Sequence, residues 1–258
     1  MNNNLFDLTG KVIVITGAAR GIGKVIASGL AAVNAKVVIA DIKKQEAENT
    51  AQIIRENGGE AIAVHTDVTQ RQDCINLIQK TIEYYNHLDI MICNAGIDIL
   101  KPLTSLEDDE WNAIINVDLR GYFNCAQIAA KQLIKQGTGG SIIMNSSIAG
   151  VVGISGSAAY TAAKGGVNQL VRSLAIEWAD NHIRVNAFAP GYIDNVMEGT
   201  EGYRLPPEED KQHLSNVIPM KRRGKPEELI GPVIFLASEA ASYVTGAILM
   251  VDGGYSAP

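Results

Sequence analysis

The sequence predicts an α/β fold: a doubly wound parallel sheet of about seven strands with helices on both faces. Three observations predict it. Short runs rich in Val and Ile recur along the chain. They are continuously apolar, as strands covered on both faces must be. Between them lie longer stretches of helical period, and strict alternation of the two patterns builds right-handed βαβ units.

Taken in order, the runs KVIVIT (11–16), AKVVIAD (35–41), EAIAVHTDV (60–68) and LDIMICNAG (88–96) read as the first four strands. GSIIMNSS (140–147), IRVNAFAPG (183–191) and AILMVDGG (247–254) continue the series. Helices are expected over 23–33, 44–57, 72–85, 106–136, 158–179 and 226–236. One interval, 192–223, breaks the rhythm: it holds EGTEGYRLPPEEDK, rich in turn residues and poor in strand formers. It follows a strand C-terminus, where open α/β sheets bind ligands, so it reads as a substrate lid. No repeat, low-complexity run or linker divides the 258 residues, and residues 1–258 read as one domain.

Composition narrows the function. Hydrophobic content of 47% with 19% charged residues supplies the core of an ordinary globular protein. A net charge of -6 argues against a nucleic-acid partner. No stretch approaches the ~20 apolar residues of a membrane span, and MNNNLFDLTGK lacks the layout of a signal peptide. Cys74, Cys93 and Cys125 are scattered and odd in number, which suits a reducing, cytoplasmic setting. The four histidines form no HExxH and there is no CxxC, so no metal site is expected.

The first strand runs directly into TGAARGIG (16–23) and then a helix. Gly17, Gly21 and Gly23, with Arg20 and Ile22 between them, make a sharp turn whose backbone N–H groups and helix N-terminus can approach a pyrophosphate. Placement after a strand and before a helix is what gives the glycines weight. Asp41 ends the second strand eighteen residues beyond Gly23. A carboxylate there accepts both ribose hydroxyls and repels a 2′-phosphate, which predicts NAD(H) over NADP(H). Arg20, Lys43 and Lys44 are nearby cations that pull the other way. Asp67 and Val68 end the third apolar run. They contact an adenine, or Asp67 caps the next helix; the residues leave both readings open.

A tyrosine and a lysine, Tyr160 and Lys164, stand four apart in AAYTAAKGG, on one face of an expected helix. The pair alone fits an amphipathic helix with a solvated lysine, or a phenol with a labile proton. The other motifs decide between these readings. TGAARGIG, CNAG (93–96), Asn116 in WNAIINVDL, Ser147 in IIMNSSIAG, YTAAK (160–164), APG (189–191) and the terminal VDGG occur in one order over nearly the whole chain. With them the sequence resembles the short-chain dehydrogenase/reductase family, in its NAD-preferring cytosolic branch, a Rossmann-like fold.

The resemblance implies a set of roles. Tyr160 is the acid/base, and Lys164 lowers its pKa and binds the nicotinamide ribose. Ser147, thirteen residues before Tyr160, orients the substrate oxygen, while Ser146 is structural. Asn116 holds a kinked helix and a water that links Lys164 to solvent. Asn94, Ala95 and Gly96 line the cofactor, as do Pro190, Gly191 and Ile193. Freeing a phenol at neutral pH is a shift of about three units from ~10, roughly 4 kcal/mol. Lys164 and the positive nicotinamide ring are the charges expected to supply it.

Two departures from the family pattern stand out. Cys93 replaces an asparagine, an expected packing change, and Asn195 stands where the family has a threonine on the nicotinamide carboxamide. Asn195 keeps that contact or points into the substrate pocket. The expected activity interconverts a secondary alcohol and a ketone, with a polyol, sugar, small hydroxy-ketone or cyclic alcohol as substrate. Acidic residues such as Asp194, Glu198 and Glu201 would rim the pocket. The alternatives are an NADPH-dependent 3-oxoacyl reductase and, outside enzymes, an NAD(H)-binding regulator. A homotetramer is the assembly that the resemblance implies.

Overall fold

A computed structural model describes residues 4–194 and 207–257. Seven parallel strands form one sheet in the order β3-β2-β1-β4-β5-β6-β7. They are β1 (Val12–Thr16), β2 (Lys36–Asp41), β3 (Glu60–His65), β4 (Ile90–Cys93), β5 (Gly140–Asn145), β6 (Ile183–Pro190) and β7 (Ile248–Val251). All five residues of β1 are buried, because each face of the strand meets its own helical layer. Val12 and Val14 point into one core with Leu77, Ala126 and Val167. Ile13 and Ile15 point into the other, with Ile26, Leu30, Ala51 and Val233. The period of two along the strand thus feeds two cores. Each fully buried Ile or Leu contributes about 1.5–3 kcal/mol.

The helices that cover the sheet are α1 (Gly21–Ala32), α2 (Lys44–Glu56), α3 (Arg71–Tyr85), α4 (Asp108–Ile115), α5 (Gly121–Gln136), α6 (Ala158–Glu177), α7 (Pro207–Val217) and α8 (Ile230–Ala237). The parallel neighbours of β1 are β2 on one side and β4 on the other, with Val12 opposite Lys36 and Ile13 opposite Ile90. Strand order therefore reverses between β1 and β4, which opens a crevice beyond their C-terminal ends.

The structure redraws several expected boundaries. Strands expected to reach 68, 96, 147 and 191 end at His65, Cys93, Asn145 and Pro190. The surplus residues leave the ladder and become the loops of the crevice. The expected continuous helix 106–136 is three pieces: α4, a π-helical turn Asn116–Arg120, and α5. Gly121 N–H reaches back to the Asn116 carbonyl, five residues rather than four, which inserts one residue into the helical ladder. The expected helix 226–236 begins as a 3-10 turn, Pro226–Leu229. Of the lid interval, Ile193 bridges Gly224 and α7 is helical. Asn195, Glu198 and Glu201 lie outside the described residues.

Candidate active site

At the crevice, a cavity of about 300 Å³ is lined by Gly17, Arg20, Gly21, Ile22 and Gly23 at one wall and by Asp41, Asp67 and Val68 at its far end. Asn94, Ala95, Gly96, Tyr160 and Lys164 complete it. Fourteen of the residues singled out from sequence, Lys43 included, thus meet in one place. Pro190, Gly191 and Ile193 do not line it: Gly191 N–H bonds the Val251 carbonyl, and Ile193 faces a second cavity with Tyr192, Met220 and Asp252.

The glycine turn is held from behind. Gly17 has φ +64°, and a Cβ there would stand 2.7 Å from the Ala95 Cα, so the residue meets both demands that exclude a side chain. Asn94 Nδ2 donates to the carbonyls of Thr16 (2.9 Å) and Gly17 (3.1 Å), while Thr16 Oγ1 accepts the Asn94 and Ala95 amides. Asn145 Nδ2 then donates to Asn94 Oδ1 at 2.9 Å, tying β5 to the same knot. The start of α1 has no side-chain cap and no acidic residue in its first turn. Its leading amides face the cavity wall as donors for an anion. These features fit a pyridine dinucleotide, whose pyrophosphate would sit on that turn.

At the far end, the Asp41 carboxylate is buried. Its Oδ2 accepts the Ala19 amide at 3.0 Å and its Oδ1 the Lys43 amide at 2.9 Å. Arg20 is exposed, and Lys43 Nζ lies 3.9 Å from Glu46. Asp67 Oδ1 accepts the amide (2.9 Å) and hydroxyl (2.8 Å) of Thr69. It therefore builds the turn that leads into α3 while also lining the cavity.

The reactive end gathers side chains from four elements. Ser147 and Tyr160 are both buried, and Ser147 lies near enough to act on the Tyr160 phenol. Ser147 Oγ also accepts the Ala149 amide at 3.1 Å. Ser146 turns away, with its hydroxyl 2.6 Å from Asn168 Oδ1, the structural role expected of it. Lys164 is 2% exposed, hydrogen-bonds two groups and stands at ion-pair distance from a third. Its Nζ lies 2.9 Å from the Asn145 carbonyl, 3.1 Å from the Tyr122 hydroxyl and 3.1 Å from Asp118 Oδ2. The same Nζ is 5.3 Å from the centre of the Tyr160 ring.

One expectation is corrected here. Asn116 is not beside Lys164: its side chain is exposed, because the π turn rotates the next residues inward. The inward residue is Asp118, fully buried. The signal was present in the sequence as the acid of NVDLRG, but the register that turns it inward comes from the extra residue in the helix. Without nucleotide, the Tyr160 phenol is raised above the ordinary tyrosine value: burial is the largest cause and the Asp118 charge the next, with the neighbouring Ser147 hydroxyl opposing them.

Other residues of the site were missed. Tyr122 donates to the Asn145 carbonyl at 3.0 Å, and burial holds its phenol well above the usual value. Asp98 is buried behind Tyr160; its Oδ2 accepts the Ser157 hydroxyl at 2.9 Å and its Oδ1 the Ile99 amide at 2.8 Å. Burial raises its pKa to about 6. Cys93 is buried with its Sγ against the Tyr122 carbonyl, a packing position as expected. Among the described residues no cluster of His, Cys, Asp or Glu is placed to hold a metal, and no helix is long and apolar enough to cross a membrane.

Comparison with known proteins matches this arrangement. Residues 17–256 fit the family model described as enoyl-(acyl carrier protein) reductase. The 3-oxoacyl-[acyl-carrier-protein] reductase FabG of Thermotoga maritima is 39% identical over 96% of this chain and 98% of its own. The cis-4-hydroxycyclohexanecarboxylate dehydrogenase of Sinomonas cyclohexanicum is 41% identical over 96% and 97%. A gluconate 5-dehydrogenase from Burkholderia cenocepacia, solved with NADP and tartrate, superposes with a TM-score of 0.93 at 34% identity, covering 99% of this chain and 98% of its own. From the glycine turn to the buried lysine, and across nearly its full length, this chain belongs to the short-chain dehydrogenase/reductase family, as an oxidoreductase acting on CH–OH groups.

Proposed function

We propose that the chain interconverts a secondary alcohol and a ketone with NAD(H), with Tyr160 as acid/base and a polyol, sugar acid, small hydroxy-ketone or cyclic alcohol as substrate. The observation that carries the reading is the buried Tyr160–Lys164 pair, one helical turn apart on α6, lining the cavity of the glycine turn. When bound, the dinucleotide accepts or returns a hydride at its nicotinamide ring. Tyr160 takes the substrate hydroxyl proton in oxidation and returns a proton to the carbonyl oxygen in reduction. Ser147 donates to that oxygen and fixes its distance from the phenol. Lys164 and Asn145 hold the floor beneath it. Asn94 and Thr16 keep the turn in the shape a pyrophosphate needs.

The preference for NAD(H) rests on Asp41. A carboxylate about 5 Å from a single phosphate charge repels it by about 1–3 kcal/mol over effective dielectrics from ~60 down to ~20, roughly tenfold or more in affinity. Arg20 and Lys43 line the same cavity and are the cations that would offset this; Lys43 Nζ also lies 3.9 Å from Glu46. Relatives supply the substrate range: one acts on a hydroxycyclohexane carboxylate and a structural neighbour is named for gluconate. The family's usual setting suggests a cytoplasmic homotetramer for this chain, with 1–258 as one domain and 192–223 as its substrate lid.

The second reading, an NADPH-dependent 3-oxoacyl reductase, draws on the FabG relative and on Arg20 and Lys43 lining the same cavity as Asp41. Titration with NADH and NADPH, followed by a screen of D-gluconate, polyols, cyclic alcohols and acetoacetyl thioesters at the nicotinamide absorbance band, separates the two. Tighter NADH binding with turnover of an alcohol supports the first. NADPH preference with thioester reduction replaces it with the second.

A further inference from the structure

Two segments pack around Tyr160: the β4 loop, 97–101, and the stretch 148–157 that joins β5 to α6. Ile97, Ile99, Ala149, Ile154 and Ala159 form one apolar cluster with the tyrosine, and Ile97 also lines the nucleotide cavity. The segments are clasped to each other. The Lys101 amide donates to the Gly156 carbonyl at 2.9 Å, and the Ser157 hydroxyl donates to Asp98 Oδ2 at 2.9 Å. Asp98 is the single buried ionisable side chain of the two segments; Lys101 is partly exposed and paired with Glu110 of α4. Ser157 precedes α6 yet makes no cap bond to it, because its hydroxyl is committed to the carboxylate. A carboxylate has about four acceptor sites. The Ile99 amide on Oδ1 and the Ser157 hydroxyl on Oδ2 take two, which among the described residues leaves acceptor capacity on each oxygen.

Resting on the reading of Tyr160 as acid/base toward a secondary carbinol, we propose that Asp98 sets substrate specificity: with Ser157 it accepts a hydrogen bond from a second hydroxyl on the carbon beside the reacting carbinol, and it turns away a substrate with a carboxylate there. The Asp98 charge is close enough to act on the Tyr160 phenol, and the carbinol must sit against that phenol for its proton to move. A group on the neighbouring carbon therefore lies in the same field. The cluster around it is apolar, so the Asp98–Ser157 pair is the polar point that orients a ligand among apolar contacts. A hydroxyl donates to the open acceptor and offsets the burial of the carboxylate. A second carboxylate would bring two like charges together away from bulk water. The preference is thus for vicinal diols, in open polyols or on rings, over 3-hydroxy acids. An acid group several carbons from the carbinol is untouched. Tyr160 and Lys164 from α6 and Asp118 from the π turn are the ionisable groups packed toward Asp98, with the Lys101–Glu110 pair next along its loop. Burial raises the Asp98 carboxyl to about 6, against the hydrogen bonds from Ser157 and Ile99, so it is ionised at pH 7.5.

The test reads binding rather than turnover. Protein saturated with NADH is titrated by calorimetry with two matched probes, cis-1,2-cyclohexanediol and cis-2-hydroxycyclohexanecarboxylate. At pH 7.5 the diol is expected to bind at least about tenfold more tightly than the acid. Asp98→Asn keeps the shape and the contact with Ser157 and removes the charge. It is expected to narrow that ratio by about tenfold. An unchanged ratio overturns the proposal, and so does an acid bound as tightly as the diol, or binding of neither probe, in the unsubstituted protein. Should Asp98→Asn fail to fold by circular dichroism, the unsubstituted protein decides at pH 5.5. There Asp98 has taken up its proton while an ordinary carboxylate probe stays mostly ionised, so the ratio should fall severalfold from its value at pH 7.5. A ratio constant with pH overturns the proposal. Oxidation of the diol with NAD+ is followed separately: a diol that binds as expected but is never oxidised sinks the acid/base reading and leaves the binding preference standing.

Discussion

Asp41 at one end of the crevice and Asp118 at the other are both buried carboxylates, held in different ways. Asp41 is fixed by backbone amides of Ala19 and Lys43, donors that a turn supplies wherever it is built. Asp118 is fixed by a side-chain cation, Lys164, and by the Ile97 amide, brought together from α6 and the β4 loop. The nucleotide end is therefore a product of local chain geometry, and its substitutions act through the shape of one turn. The reactive end is a product of packing, and a change at one member reaches Tyr122, Asn145 and Tyr160 through shared bonds.

The largest effect expected is at the reactive end. Tyr160→Phe removes the hydroxyl and keeps the ring, and turnover should fall by about a thousandfold or more, with NADH affinity nearly intact by fluorescence titration. A normal rate would leave the two ends without the division of labour described above. At the nucleotide end, Gly17→Ala adds a Cβ against the Ala95 backbone at φ +64°. It should cost stability by about 1–3 kcal/mol and weaken NADH binding, read by thermal unfolding with and without the nucleotide. Unfolding that matches the starting protein would mean the turn relaxes freely.

Asp98→Asn sharpens the packed side of the comparison through pH. The unfolded carboxyl ionises near 4 and the folded one at about 6. Between those values the folded chain holds the proton and the unfolded chain has lost it. Stability due to this group is therefore fully present below pH 4 and falls as pH rises to 6, by about 3 kcal/mol. The asparagine variant lacks that slope, so its melting temperature should gain on the starting protein between pH 4 and 6.5; parallel curves would remove Asp98 from the buried charges. The smallest effect belongs to Asp41→Ala, which should reduce the preference for NADH over NADPH by about tenfold, measured as a ratio of dissociation constants. An unchanged ratio would transfer cofactor choice to Arg20 and Lys43.

The nucleotide end was legible because its signals are contiguous. The TGAARGIG turn, the strand before it and the acid eighteen residues on report a local geometry, and the cavity brings Gly17, Gly21, Gly23 and Asp41 together as that spacing implies. Ser147, Tyr160 and Lys164 were named through the resemblance; all three are buried, and Lys164 Nζ lies 5.3 Å from the centre of the Tyr160 ring. Asn116 failed for a reason that spacing cannot carry. A continuous α-helix keeps its register at 3.6 residues per turn, whereas the π turn shifts it, so the residue that reaches Lys164 is Asp118. Asp98 and Tyr122 were missed because each reads as an ordinary loop or helix residue until β4, α5 and α6 converge.

By itself, the sequence determined the alternation of strands and helices, the two covered faces of the sheet and the place of the glycine turn, since hydrophobic period and glycine tolerance are properties of neighbouring residues. Only the tertiary structure decided where each strand stops, which acid faces the lysine and which way the tyrosine's proton affinity moves. Those outcomes depend on burial and on charges from segments far apart in the chain, and their energies arise only when packing removes the water between them.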